Sequence, residues 1–270
     1  MKTSYEHLTA MCALPPDFNA FSPQPDPRNV RVQYLLNALA EMGAIHDIDC
    51  FDATGDDSKE EGIPRFVNII AAVPAGNLVS TESVVFLAHH DVRVPEYQNA
   101  NDNTASCCNL LELLERLMAD VPLNRRTYIV FTDAEEIVSY TQSGSSRLAR
   151  LIKQGGLGDV KHCINLELTG FGRALYCDHK IPGLAEAAGV SVPVVHTPFS
   201  DATILRHWGV PATVLGTLPY QELDSLRNRR IGCPTWARCH QPSDSLALIS
   251  APDMARFVRI LERIAHGEDG

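Results

Sequence analysis

Four short runs rich in β-branched and other apolar residues, 67–73, 84–89, 127–131 and 163–168, are separated by segments with helical spacing. Runs this short and continuous suit strands buried on both faces. Between the second and third, residues 103–118 place Leu110, Leu113, Leu114 and Leu117 on one helical face. Residues 145–153 form a helix between the third and fourth. Strands alternating with helices require a mostly parallel sheet covered on both sides. The expected fold is therefore α/β, a single-domain three-layer α/β/α sandwich around a mixed, mostly parallel sheet. Upstream, 29–42 reads as a helix stopped by Gly43, 44–51 as a strand and 54–62 as a polar turn. Downstream, 174–177, 184–188, 192–195, 201–207 and 212–215 continue the rhythm, and a helix over 251–266 closes the chain. No internal repeat or low-complexity linker interrupts it, so residues 1–270 read as one domain. Its core spans 65–265, and an N-terminal helix and strand region occupies 1–64.

Acidic residues outnumber basic ones, 33 to 23, giving a net charge of −10. That balance argues against nucleic-acid binding, which needs a basic footprint, and against a polybasic membrane anchor. The longest apolar runs, such as 84–88, are far too short to span a bilayer. Residues 1–7 lack the apolar core of a signal peptide, and the expectation is a cytoplasmic protein without membrane partners. Eight cysteines include no C-x-x-C pair, which excludes the zinc-ribbon and thioredoxin-like patterns. Free thiols are expected, with Cys107 and Cys108 packing in a helix. Cys233 and Cys239 are close enough in sequence to close a loop disulfide.

Chemistry in such sheets collects where loops leave the carboxyl ends of strands. His89 ends one strand, and Asp91, two residues on, is placed to accept a hydrogen bond from its second ring nitrogen. Asp102 precedes the long helix and suits a helix cap as well as a ligand. Glu135 and Glu136 follow another strand; they form a solvated corner, or divide metal binding and proton transfer between them. Glu167 ends an apolar strand, where an unpaired acid is costly. His240 stands in a late polar loop. His90, His179, His196 and His207 have no complete ligand context. Arg227, Arg229 and Arg230 read as a solvated loop or a carboxylate clamp, and Trp208 and Trp236 as pocket walls, with Trp208 nearer to core.

The ordered set His89-x-Asp91, Asp102-Asn103, Asp133-Ala134-Glu135-Glu136, Asn165-Leu166-Glu167 and His240-x-Pro242-x-Asp244 resembles metallopeptidase family twenty-eight. That family comprises zinc-dependent exopeptidases, including bacterial leucine-type aminopeptidases. Ser200-Asp201 with Gly209-Val210-Pro211-Ala212 is similar to its S-D…G-I-P-A pattern, and the likeness covers roughly residues 65–265. The resemblance implies a zinc-exopeptidase fold and two zinc ions per chain. It implies His89 and Glu167 on one metal, Glu136 and His240 on the other, and Asp102 bridging them. Asp91 would orient His89, Glu135 would be the general base, and the bond after Asp102 would be cis. Two divalent ions would offset the ligand carboxylates, which could not otherwise ionise together. The nitrogen and oxygen donors also suit zinc. The implied substrate is a peptide or amino-acid derivative.

Two positions depart from the pattern. Glu167 stands where the family usually has aspartate, and Cys239 where a tyrosine commonly holds the oxyanion; a thiol is a much weaker donor. Glu167 and His89-His90-Asp91-Val92-Arg93-Val94-Pro95 are also similar to the carboxypeptidase and deacylase group of the same clan. The short interval between Glu167 and His240 leaves no room for that group's lid. Glutaminyl cyclases share the fold but look like single-zinc enzymes, a reading disfavoured by His89. The expectation is an aminopeptidase. The alternatives are a dizinc carboxypeptidase, an N-acyl amino-acid deacylase and an inactive metal-binding homologue, the last disfavoured by Glu135.

Overall fold

A computed structural model describes residues 2–15, 30–52, 65–73, 81–119, 123, 125–136, 141–223 and 233–267. The strands are β1 (Ile45–Asp52), β2 (Arg65–Val73), β3 (Glu82–His89), β4 (Arg126–Thr132), β5 (Asp159–Glu167), β6 (Ala174–Cys177) and β7 (Ala212–Leu218). The helices are α1 (Ser4–Cys12), α2 (Val30–Met42), α3 (Ala105–Ala119), α4 (Gly144–Lys153), α5 (Leu184–Ala188), α6 (Asp201–His207) and α7 (Ala251–His266). The strands form one sheet in the order β1-β2-β4-β3-β5-β7-β6. Strands β4, β3, β5 and β7 run parallel. The antiparallel pairs β1/β2, β2/β4 and β6/β7 lie outside this block. The sheet is thus mixed, with its parallel part in the middle.

Strand β3 shows why a continuous apolar run is needed there. Val84, Phe86 and Ala88 enter one core with α1, α2, α3 and α7. Val85 and Leu87 enter a second core with α4 and α6. Burying each of the valine, leucine and phenylalanine side chains contributes about 1.5–3 kcal/mol, so both faces favour the central position. Helix α3 is buried on nearly all sides from Ala105 to Leu114, beyond the single leucine face read from its spacing. The extra cover includes α1, a helix absent from the sequence reading. Thr3 and Glu6 form its capping box, and its Ser4 N–H donates to Glu112 Oε2 on α3 at 2.6 Å.

Two boundaries shift for physical reasons. The helix expected from residue 103 begins at Ala105, because an irregular turn, Ala100–Thr104, holds Asp102 and Asn103 in non-helical conformations. Residues 192–195 form no strand, contributing only an isolated bridge from Val194 to Cys177. The polar turn at 54–62 and the arginines at 227, 229 and 230 lie outside the described residues. All eight cysteines are unpaired: Cys233 Sγ donates to Glu222 Oε2 at 3.1 Å, and no Cys233–Cys239 disulfide forms. Trp208 and Trp236 both pack against the second core, and Arg150 lies over the Trp208 ring. Among the described residues no helix is long and apolar enough to cross a membrane.

Gly216 sits in β7 directly opposite Glu167 and beside Tyr176 of β6. A methyl group there would press on the Glu167 carbonyl and the Tyr176 hydroxyl, far inside contact distance. Gly216→Ala should therefore cost about 1–3 kcal/mol or more, as overpacking of a full core does. A fall in the urea midpoint checks it; an unchanged midpoint would show that β5 yields freely.

Candidate metal centre

The parallel strands deliver His89, Glu167 and the Asp133–Glu136 turn to one edge of the sheet, since β3 lies between β4 and β5. Asp102 arrives from the turn before α3, and His240 from the loop after a short helical turn, Trp236–Arg238. Asp102 reaches both histidines. His89 Nε2 lies 3.5 Å from its Oδ1, and His240 Nε2 lies 3.3 Å from its Oδ2. Glu167 Oε2 stands 3.8 Å from His89 Nε2, and Glu136 Oε2 stands 2.9 Å from His240 Nε2. Three donor groups result among the described residues, His89 with Asp102 and Glu167, Asp102 with Glu136 and His240, and His89 with Glu135 and Glu136, each drawn together within 4.8 Å.

Other side chains hold these groups in place. Asp91 Oδ1 lies 3.3 Å from His89 Nδ1, and its two oxygens accept the N–H groups of Glu135 and Glu136. Asp244 accepts the N–H of Asn101 at 2.8 Å and that of Asp102 at 3.0 Å. Asn165 Nδ2 donates to Glu167 Oε1 at 3.0 Å, and Asn103 Nδ2 to the Leu166 carbonyl at 2.8 Å. The Asp102–Asn103 peptide is cis. Four non-glycine residues have left-handed backbone, Asn99, Ala134, Leu168 and His240. All four lie at the turns that carry the site, where such conformations are retained only if the surroundings impose them.

Burial sets the electrostatics. His89, Asp102 and Glu167 are buried, whereas the His240 side chain is 43% exposed, so the site opens to solvent on that side. Burial pushes the Glu167 carboxyl up to about 8, with the nearby Asp102 charge adding to it. Glu136 rises to about 7 for the same two reasons. Glu135 is raised well above the usual range, first by burial and then by Glu167, Asp201 and Glu136. Against its own burial, Asp102 is held well below the carboxylate range by His240 and His89. Contact with Asp102 in turn lifts His240 to about 9.

A model of peptidase family M28 matches residues 68–265. The chain belongs to peptidase family M28. A search of curated proteins gives no match. Among solved structures, Porphyromonas gingivalis glutaminyl cyclase superposes with a TM-score of 0.73 at 18% identity, over 98% of this chain and 97% of that one. Bacteroides thetaiotaomicron glutaminyl cyclase bound to N-acetylhistamine gives 0.74 at 16% identity, over 99% and 97%. The Legionella pneumophila LapA aminopeptidase gives 0.69 at 16% identity, over 97% of this chain and 70% of that one. Such likenesses establish the shared fold.

M28 peptidases are metal-dependent, and the donors of this M28 chain fit such an ion. Tetrahedral ligands at zinc–nitrogen and zinc–oxygen bond lengths lie roughly 3.3 Å apart. The histidine–carboxylate separations here run from 2.9 to 3.8 Å. The raised carboxyls have the same meaning: four acids sharing one pocket need positive charge to ionise together. Asp244 and Asp201 have no role in the sequence reading, although both lie in quoted motifs. Asp201, fully buried, accepts a hydrogen bond from Thr132 and adds negative charge near Glu135 and Glu167. Burial, and then the neighbouring Asp102 carboxylate, push the Cys239 thiol well up. His90 faces Asp133 at 3.7 Å, outside all three donor groups.

Proposed function

We propose that this chain is a co-catalytic dizinc exopeptidase, an aminopeptidase that removes N-terminal residues from peptides. The observation that carries the reading is Asp102, whose two oxygens each face a different histidine–carboxylate pair. His89 and Glu167 would hold one ion, Glu136 and His240 the other, and Asp102 both. Bound there, two zinc ions would neutralise the buried carboxylates, make a water more acidic and polarise the scissile carbonyl. Asp91 fixes the His89 ring through Nδ1. Glu135, outside the ligand set, takes a proton from the attacking water and passes it to the leaving amine. A thiol is a weak donor, so Cys239 adds little to oxyanion stabilisation. The acidic cluster attracts a free α-amino group. Eight unpaired cysteines suit the reducing cytoplasm.

A glutaminyl cyclase is the second reading, favoured by the near-complete overlap with the Porphyromonas gingivalis chain against 70% of LapA. Glu135 would then move a proton from the α-amine of an N-terminal glutamine as that amine displaces ammonia from the side-chain amide. Metal analysis with product analysis on leucyl and glutaminyl peptides separates the two. The expected result is about two zinc ions per chain and release of a free N-terminal amino acid. Ammonia released from an otherwise intact peptide, with a single ion bound, would replace the aminopeptidase by the cyclase.

A further inference from the structure

Two polar atoms beside the metal centre have no partner. Thr235 is 3% exposed, and its Oγ1 makes no hydrogen bond; Arg238 Nη1 is buried and likewise unpaired. Both residues line the same small cavity, with Leu168, Phe171, Cys239 and Asp244 among its walls. Leu168 directly follows Glu167, and Cys239 directly precedes His240, so two ligand-bearing segments form its sides. The Arg238 guanidinium lies over the Phe171 ring at 5.7 Å. The turn is pinned from below, where Glu222 Oε2 accepts the Thr235 N–H at 2.7 Å. An unpaired donor on a cation is costly to bury, and both residues that carry the unpaired atoms line this one cavity.

The cavity measures about 10 Å³, enough for one oxygen-sized group. Its acceptors are already engaged. Asp244 uses both oxygens on the N–H groups of Asn101 and Asp102, and the Gly170 N–H donates to Asn101 Oδ1. What remains is a guanidinium N–H and a hydroxyl, which suit an oxygen that only accepts. We propose that Arg238 and Thr235 form a carboxylate subsite that selects substrates with an acidic N-terminal residue. The inference rests on the aminopeptidase reading and names the substrate class of that site. One carboxylate oxygen would enter this cavity and meet Arg238 and Thr235 in a charge-assisted hydrogen bond.

The test compares kcat/KM of the zinc-loaded protein on α-L-glutamyl, L-glutaminyl and L-leucyl p-nitroanilides, with calorimetric binding of L-glutamate and L-leucine. Glutamyl should exceed glutaminyl by about ten-fold or more, the discrimination expected of one charge-assisted bond. Arg238→Gln should bring that ratio near parity, Arg238→Glu should reverse it, and Thr235→Val should lower it a few-fold. Arg238→Lys, which keeps the charge but not the planar fork, should retain part of it; this holds the test open if the larger changes unfold the loop. A wild-type preference for glutaminyl or leucyl overturns the subsite, as does a ratio unmoved by Arg238→Gln, the outcome if the cavity holds only water. If no anilide is hydrolysed, the peptidase reading fails, and the calorimetric preference for glutamate over leucine, lost in Arg238→Gln, still decides the subsite.

Discussion

Glu135→Gln is expected to keep its bound metal and to lose roughly 10²–10⁴ in kcat, the contribution usual for a positioned general base. The substitution preserves shape and removes only the capacity to hold a proton. Glu135 joins only the His89–Glu135–Glu136 group, and the proposed ligand set, the His89–Asp102–Glu167 and Asp102–Glu136–His240 groups, does not use it. Its position is imposed by its neighbours: Asp91 accepts its N–H at 3.3 Å, and Ala134 before it has φ 63°. Glu136→Gln provides the contrast, because that change removes an oxygen of the proposed ligand set and should lower metal content with activity. Metal analysis and single-turnover kinetics on both variants give the comparison. Turnover of Glu135→Gln within a few-fold of the parent would assign the base elsewhere.

Chelation should destabilise the protein by an amount that grows steeply between pH 5 and pH 8. Without metal, Glu167 ionises in the folded state near 8 and Glu136 near 7, against the ordinary 4.5 of both. A carboxyl whose folded value is raised binds a proton that the unfolded chain has lost. Stability is therefore fully present below about 4.5 and drains away as pH rises toward the folded value. His89 and His240 are raised too, and they drain stability in the same direction above the ordinary histidine range. Each such group contributes a slope of up to about 1.4 kcal/mol per pH unit where it differs between the states. Asp102 and Asp91 are lowered, so their effect falls below pH 4 and does not oppose the trend. Bound metal replaces those protons, and its affinity rises with pH. Melting curves with zinc and with a chelator should differ little at pH 5 and strongly at pH 8. A gap that is flat or shrinks with pH would mean that these carboxylates do not share a metal.

Much of this was legible from residues alone. The runs at β2 to β5 are apolar on both faces because both faces are buried, and that pattern needs no partner to be recognised. Polar side chains at the ends of such runs, His89 and Glu167, stand out because an apolar strand tolerates them only where it leaves the sheet. The differences at element boundaries have long-range causes. Helix α1 is nine residues long and docks through Leu8 and Met11 onto a helix about a hundred positions away. Helix α3 starts later than its spacing predicts because Asp244 and Leu166 hold the preceding turn, a constraint that spacing does not encode.

The alternation of apolar runs with helical spacing by itself determined the fold class, and the order of acids and histidines carried the resemblance to family M28, since apolar patterning and strand-end polarity are local properties of sequence. Only the tertiary structure decided that the two oxygens of Asp102 face different histidines, that Ala134, Leu168 and His240 take left-handed backbone, and that Thr235 and Arg238 leave two donors unpaired in one cavity. Each of these depends on segments far apart in the chain closing on one another to within a few ångströms, and such closure is set by packing.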